Sequence, residues 1–409
     1  MNIWIFNHYA ITPNYPGGTR HFDFSKELIK KGHKVTIFAS SFHYMLLEET
    51  KKYERSFFIE EDYEGVKFVW IKTPGYKKSD WRRVINMLVY SFRTYFAAKV
   101  LGKKEKPDVI IGSSVHLFAP LVAYFLSKFY KTPFILEIRD LWPKVLIDLG
   151  ISKYHPFIIL LAWIEKFLYK RAHKIVSLVD RISEYLAQYG ISENKISLIP
   201  NGISIGRLNK SFNLEKSKKD ENEIIVCYAG ILGKANDPNS IAKLISILVK
   251  KIKNVKVWVI GKGYDYDEVI KSLLDVKDSV IFWGAIPKDE VYNKLFLCDI
   301  FILRMADTSY YGSFNKLFDY LAVGKPIIFW ADIPDNVVER IGAGVTVRED
   351  DPYKVAEAIE KIISLSEEER NQMGQRGRKY VLENHNVEKL AEKLEDVIKE
   401  VYNDFVKNK

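Results

Sequence analysis

In the stretch Ser313-Phe-Asn-Lys-Leu-Phe-Asp-Tyr-Leu-Ala-Val-Gly-Lys-Pro-Ile327, Asn315 and Lys316 open an expected helix and Asp319 lies one turn inside it. The first turn of a helix leaves backbone N–H groups unpaired and carries partial positive charge, so a diphosphate docks there with Lys316 beside it. Asp319, on the same face, is placed to accept from ribose hydroxyls. Gly324 ends the helix and Pro326 leads into the apolar run Ile327–Trp330, which reads as a buried strand. An ordinary helix with a C-terminal glycine has the same outline, so the rest of the chain must decide.

Pro16-Gly17-Gly18-Thr19-Arg20 follows a first strand and precedes a helix over Phe22–Lys31, so bare backbone can approach a phosphate there and Arg20 can add charge. It is neither a dinucleotide fingerprint nor a Walker loop, and a structural turn explains it equally well. Leu136-Glu-Ile-Arg-Asp-Leu-Trp-Pro143 puts Glu137, Arg139 and Asp140 at the end of an apolar strand, where three charges must face a cleft or one another. His116, at another strand end, either orients a substrate or starts a helix. Asp265-Tyr-Asp267 reads as helix capping rather than a metal pair, and no other spacing indicates a metal site.

These residues need a scaffold. Apolar runs alternate with amphipathic stretches in a βαβ rhythm: Ile3–Phe6, Val35–Ala39, Val66–Ile71, Val109–Ile111, Phe134–Ile138, Lys174–Leu178 and Ile196–Ile199 in the first half. The second half restarts with Ile224–Ala229, Val255–Ile260, Val280–Trp283, Ile300–Leu303 and Pro326–Trp330, then a final helix over Val387–Phe405. At 409 residues two domains are expected. The reading is two Rossmann-like doubly wound α/β domains facing across a cleft: residues 1–205, a linker over 206–222, residues 223–386, and a C-terminal helix over 387–409 packing back on the first domain. Ligands of open α/β sheets lie at the C-terminal strand ends, here inside the cleft.

The chain is 47% hydrophobic, which excludes a disordered protein, and its net charge of +10 is uneven. Residues 1–200 hold 30 Lys and Arg against 19 Asp and Glu; residues 201–409 hold 32 against 33. Between Trp81 and Leu101, Trp81, Ile85, Leu88, Phe92 and Phe96 recur at helical spacing beside Arg82, Arg83, Arg93 and Lys99. Such a basic amphipathic helix suits an anionic membrane surface, with burial in the core as the alternative. His155–Lys174 is a second candidate. No nucleic-acid motif accompanies the charge. Val109–Ser127 lacks charges, but Gly112, Ser113, Ser114, His116 and Pro120 interrupt it, so it reads as a strand and a helix rather than a membrane span. The chain starts directly on a strand pattern with no signal-peptide character, and Cys227 and Cys298 read as core residues of a reduced, cytosolic protein.

Over nearly its whole length the chain resembles the retaining glycosyltransferases of family four with the GT-B fold, most closely the branch that builds O-antigen and capsule, including fucosamine-transferase-like members. The resemblance lies in Gly17-Gly18, Glu137-Ile-Arg-Asp-Leu-Trp-Pro143, Ile199-Pro-Asn-Gly-Ile203, Tyr228-Ala-Gly-Ile-Leu-Gly-Lys234, Gly261-Lys-Gly263, Trp283-Gly-Ala-Ile-Pro287 and Asn315–Pro326, in that order. It implies that Asp319 holds the ribose, that Asn315, Lys316 and Leu317 meet the diphosphate with Lys234, that backbone at Ala285 and Ile286 faces the base, and that Gly18 approaches from the other domain. Tyr311 replaces the family's first glutamate, and Ile231 and Asn236 stand where it has an Arg and a Lys.

The expected activity is transfer of a hexosyl or N-acetylhexosaminyl group, with retention, from a UDP-linked sugar to a polyprenyl-diphosphate-linked acceptor in lipopolysaccharide, O-antigen or capsule synthesis. Lys316, Lys234, Arg304 and the helix start at Asn315 would stabilise the leaving diphosphate with no metal or cofactor. Glu137, Arg139, Asp140 and His116 would flank the sugar, and the protein would sit in the cytoplasm, peripheral on the inner face of the membrane. A sugar-nucleotide epimerase of the same fold and a non-catalytic membrane-bound partner of a transferase remain as alternatives.

Overall fold

The computed structural model describes residues 1–78, 80–148, 150–179, 182–212, 223–233, 236–306 and 315–408. Alternating apolar runs become two open sheets. In the first, β1 (Asn2–Phe6), β2 (Lys34–Ser40), β5 (Phe58–Tyr63), β6 (Val66–Ile71), β7 (Val109–Ser113), β8 (Phe134–Ile138), β9 (Lys174–Ser177) and β10 (Ile196–Leu198) lie in the order 10-9-8-7-1-2-6-5, and a separate ribbon pairs β3 (Phe42–His43) with β4 (Glu48–Glu49). All neighbours in the large sheet are parallel except β5, which is antiparallel to β6. In the second, β11 (Ile224–Ala229), β12 (Val255–Ile260), β13 (Val280–Gly284), β14 (Ile300–Arg304), β15 (Ile327–Trp330) and β16 (Gly344–Val347) run parallel in the order 13-12-11-14-15-16. The winding reverses between β1 and β7 in one sheet and between β11 and β14 in the other, so each domain opens a crevice at those strand ends.

Parallel strands buried on both faces need helices on both sides, which is why they read as unbroken apolar runs. One face of the first sheet packs on helices Trp81–Leu101, Phe118–Tyr130 and Pro156–Arg171; the other packs on Arg20–Lys30 and the C-terminal helix Val387–Lys407. In that last helix Val387, Leu390, Ala391, Leu394, Val397, Ile398 and Val401 form a buried stripe, so the chain's end belongs to the first domain's core. The crossing out and the crossing back pair with each other. Ile203 N–H donates to the His385 carbonyl at 2.7 Å, and Val387 N–H donates to the Ile203 carbonyl at 3.1 Å.

Every strand expected from the apolar runs is present within two residues of its expected ends. Among the elements not anticipated were the β3–β4 ribbon, β5, whose Glu60, Glu61 and Asp62 hide its pairing, β16, and the helices Pro238–Lys251, Lys288–Leu295, Pro352–Ser364 and Glu367–Asn384. The expected linker differs in its first part: Ile205–Phe212 is a helix, and residues 213–222 lie outside the described residues. Asp265 does precede a helix, Tyr266–Ser272, but its side chain makes no capping bond. No helix among the described residues is long and apolar enough to cross a membrane; Val109–Ser127 holds β7 and most of a helix.

The C-terminal helix is locked by Glu395, which faces Lys399 at 2.6 Å, His33 at 3.0 Å and Lys31 at 3.3 Å. Hydrogen bonds from Lys399 first and then His33 hold its carboxyl down from the usual 4.5 to about 2. A depressed carboxyl stabilises the fold above its unfolded pKa and loses that contribution as pH falls through the folded one. The stability gap between wild type and Glu395→Gln, measured by urea denaturation, is therefore expected to be full above pH 4.5 and to close toward pH 2; a gap unchanged with pH would contradict this.

Candidate active site

At the end of β8, Glu137 is inside the first domain and not at its surface, with 3% exposure. Arg20, the first residue of its helix, turns inward: Nε donates to Glu137 Oε1 at 2.9 Å, while its other nitrogens donate to the carbonyls of Ile199 and Pro200. Asn7 Nδ2 and His21 Nδ1 lie 2.8 Å apart, and His21 Nε2 meets Glu137 Oε2 at 2.6 Å, where Ser113 Oγ also donates. Burial lowers the His21 pKa, so a neutral ring accepting from Asn7 and donating to Glu137 fits this chain of contacts. Burial alone would push the Glu137 carboxyl up, but His21 and Arg20 outweigh it and hold it well below the usual range. Both Arg20, expected near a phosphate, and Glu137, expected beside the sugar, are thus spent on joining β8, the first helix and the domain crossing.

His116 is also interior. Its Nε2 lies 2.7 Å from His8 Nδ1, and desolvation lowers it to about 3, so the two rings form a neutral, weakly basic pair near pH 7. The groups of this strand end that do reach the crevice are Arg139 and Asp140, both half-buried. The Arg139 backbone N–H donates to Ser114 Oγ at 3.1 Å, and among the described residues its Nε is buried with no acceptor and its side chain makes no ion pair. Burial raises the Asp140 carboxyl, opposed by Arg139 and then Arg83. The Gly17–Gly18 turn abuts Tyr44, whose hydroxyl would lie 2.9 Å from a Cβ at Gly17; with φ at +133° this position favours glycine.

In the second domain the helix Asn315–Val323 stands at the β11–β14 crevice, as its sequence indicates. Tyr320 pins it: Ala229 N–H donates to the Tyr320 hydroxyl at 2.7 Å. Lys316 then points under Gly230, where a Cβ would lie 2.7 Å from its Nζ. Its polar neighbours are neutral, Asn236 Oδ1 at 3.1 Å and the Tyr228 hydroxyl at 3.4 Å, with the Tyr228 ring centre at 4.8 Å. Among the described residues it makes no ion pair, and desolvation draws its pKa down to about 8. Asp319 is 9% exposed and already held, Oδ2 by Lys288 Nζ and Oδ1 by the Tyr292 hydroxyl, each at 2.6 Å. Each carboxylate oxygen retains room for a further donor such as a ribose hydroxyl. Ala285 and Ile286 lie at the end of β13, just before the helix Lys288–Leu295 that supplies both partners. Sequence reasoning missed Lys288 and Tyr292, although their spacing of four residues after the base-facing loop puts them on one helix face.

Two other expectations change. Arg304 ends β14 as expected, but Nη2 reaches Asp350 at 2.6 Å and Asp237 at 3.4 Å, over the Trp330 ring, so its charge is already taken. Leu317 has 2% exposure, so only its backbone is available to a ligand. Lys234 and Tyr311 lie outside the described residues, as does the side chain of Asn315. No group of three His, Cys, Asp or Glu residues among the described residues is placed to hold a metal ion.

The two half-sites are tied together. Lys288 N–H donates to the carbonyls of Pro13 and Tyr15, while Arg207 bridges Asp23 of the first domain and Asp289 of the second, each at 2.7 Å. Glu137→Ala would leave Arg20 buried without its partner, a loss of about 3–5 kcal/mol in urea denaturation. A loss below about 1 kcal/mol, the range of surface pairs, would return Glu137 to the cleft.

Residues 17–207 match the model of Glycosyltransferase Family 4, and residues 209–380 match that of Glycosyl transferases group 1. No curated protein matches the sequence significantly. Among solved structures, sucrose-phosphate synthase from Thermosynechococcus elongatus is similar with a TM-score of 0.73 at 17% identity, over 98% of this chain and 99% of that one. Anabaena HepE in complex with UDP and glucose gives 0.67 at 14% over 98% and 100%. WaaG, a glycosyltransferase involved in lipopolysaccharide biosynthesis, gives 0.64 at 13% over 97% and 99%. At these identities the likeness shows the fold, and the two family models supply the rest. The chain belongs to the GT-B glycosyltransferases, with a family-four domain followed by a group-one domain.

Proposed function

We propose that this glycosyltransferase moves a sugar from a UDP-linked donor to a lipid-linked saccharide, with retention, in the synthesis of a surface polysaccharide. The observation that carries the donor half is Lys316, a half-buried ammonium at a helix start whose polar neighbours among the described residues are all neutral. Burying a cation without a counter-ion is unfavourable, and a diphosphate in that space reverses the penalty. As the glycosidic bond breaks, charge grows on the leaving diphosphate, and Lys316 with the N–H groups of the helix start would stabilise it without a metal. Lys234 would join them; Arg304, already paired, would not. Asp319 would accept from the ribose with Lys288 and Tyr292 fixing its orientation, and backbone at Ala285 and Ile286 would face the base. From the first domain Gly17 and Gly18 would close on the donor while Arg139 and Asp140 flank the sugar, with Glu137 as the support beneath them. The UDP in the HepE structure supports the choice of base.

The acceptor half rests on exposed apolar side chains. Trp81, Leu88 and Phe92 project from one helix, Phe125 and Phe129 from the next, and Ile159 and Trp163 from the third, with Trp81, Phe92 and Trp163 each more than 60% exposed. A patch of that size rimmed by Arg82, Lys99, Lys128 and Lys166 suits the inner face of an anionic membrane. An epimerase acting on a soluble nucleotide sugar has no need of it. Arg83 and Arg93, expected on the same surface, differ: Arg93 turns back to the Lys72 carbonyl, and Arg83 faces the cleft.

Thermal unfolding with UDP, GDP, ADP and dTDP is expected to show stabilisation by UDP, about 2.7 kcal/mol at a hundred times its dissociation constant. The shift should vanish in Asp319→Ala; a shift with none of the four would favour a non-catalytic membrane-bound partner. Flotation with anionic vesicles at low salt should recover wild type and much less of a Trp81→Ser, Phe92→Ser double variant. Absence of wild type from the vesicle fraction would remove the membrane reading.

A further inference from the structure

The helix Trp81–Leu101 has two different faces near its start. Trp81 and Ile85 project outward, whereas Asn86, Met87 and Tyr90 are buried. Arg83 lies on the inward side, its guanidinium carbon 5.9 Å from the Tyr9 ring centre. Tyr9 in turn stacks on His8 and packs edge-on against Tyr44, which adjoins the Gly17–Gly18 turn. The charge of Arg83 is also felt at Asp140, at Tyr76 and, from the second domain, at Tyr264. From the outward apolar helix face the contacts therefore run inward through Arg83 and Tyr9 to Tyr44 and the glycine turn, with Asp140 within the reach of the Arg83 charge. An acceptor whose lipid lies in the membrane and whose sugar lies in the cleft must pass its phosphate groups along that line.

We propose that Arg83 binds the phosphate joining the acceptor's lipid to its sugar, so that the sugar rests over Asp140 and reaches toward Arg139. This rests on the lipid-linked acceptor reading and adds to it the residue that distinguishes a phosphorylated lipid from any other anionic surface. An arginine suits the task because its planar fork takes two phosphate oxygens at once, and its position at the meeting of both domains would register the acceptor before closure. Lys316 and Arg83 thus divide the two phosphate groups of the reaction: the donor's in the second domain, the acceptor's in the first.

The test uses vesicles of phosphatidylcholine doped with polyprenyl diphosphate, against vesicles given equal surface charge with phosphatidylglycerol and vesicles holding polyprenol, all at high salt to screen the surface. Wild type should bind the diphosphate vesicles about tenfold more tightly than either control, the scale of one charge-assisted contact. Arg83→Gln should lose that increment and Arg83→Lys keep part of it, both retaining the UDP-induced thermal shift and the low-salt flotation. An increment equal in Arg83→Gln and wild type, or none in wild type, would overturn the proposal. A lost UDP shift or lost low-salt flotation in wild type would instead fault the donor or membrane reading. Competition of the increment by a soluble hexose phosphate would reassign Arg83 to an acceptor without a lipid and also overturn it.

Discussion

A lysine ammonium drawn partly out of water, with no carboxylate paired to it among the described residues, is an unfavourable arrangement unless an anion completes it, and the second domain places one, Lys316, at its crevice. The Tyr228 ring and Asn236 surround Lys316. Tyr320 fastens its helix to the end of β11. Gly261 allows the neighbouring loop to approach, since a Cβ there would fall 2.0 Å from the Gly230 carbonyl oxygen. Asp319, one turn along, does not neutralise Lys316 because Lys288 and Tyr292 hold it on the other side. The same Lys288 bonds through its backbone to Pro13 and Tyr15, so the surroundings of Asp319 are continuous with the turn that precedes Gly17 and Gly18.

The first domain divides its charges between support and chemistry. Glu137, Arg20 and His21 are adjacent in space to Arg139 and Asp140 but separated from them by burial, and their mutual contacts leave no capacity for a ligand. Such a network holds the strand end in one position, which matters because misplacement of about 1 Å at a reacting centre costs about a hundredfold in rate. Arg139 and Asp140 then stand half-buried at the strand end, their side chains without ion pairs among the described residues. Phe318 of the donor helix stacks on His385 at 4.0 Å, where the chain returns to the first domain, so the donor helix and the domain crossing share a contact.

Much of this was readable in the chain. Parallel strands buried on both faces announce themselves as apolar runs, and the helix opened by Asn315 and Lys316 lies where its capping pattern and Gly324 require. Apolar periodicity also marked the outward face of Trp81–Leu101. Side-chain direction was not readable to the same degree: Arg82, Arg83 and Arg93 look alike in sequence, yet one is exposed, one faces the cleft and one turns to a backbone carbonyl. Charge at a strand end was equally ambiguous. Glu137 and Asp140 are three residues apart, and only tertiary contacts across 117 positions, from Arg20, put the first inside and leave the second outside. Lys288 escaped notice for the same reason, since its partner Asp319 is 31 positions away.

The central claim is that the Lys316 ammonium is the donor site's principal anion receptor. Its lowered pKa, about 8, makes the claim measurable, because above that value the free protein must take up a proton to bind a diphosphate. Calorimetric titration of UDP at about pH 7 and about pH 9, on wild type and Lys316→Gln, separates this from every other contact. Wild type should bind more weakly at the higher pH with proton uptake from the buffer, while the variant should be weak and indifferent to pH. Equal affinity in the two proteins, or a wild-type affinity independent of pH, would contradict the account.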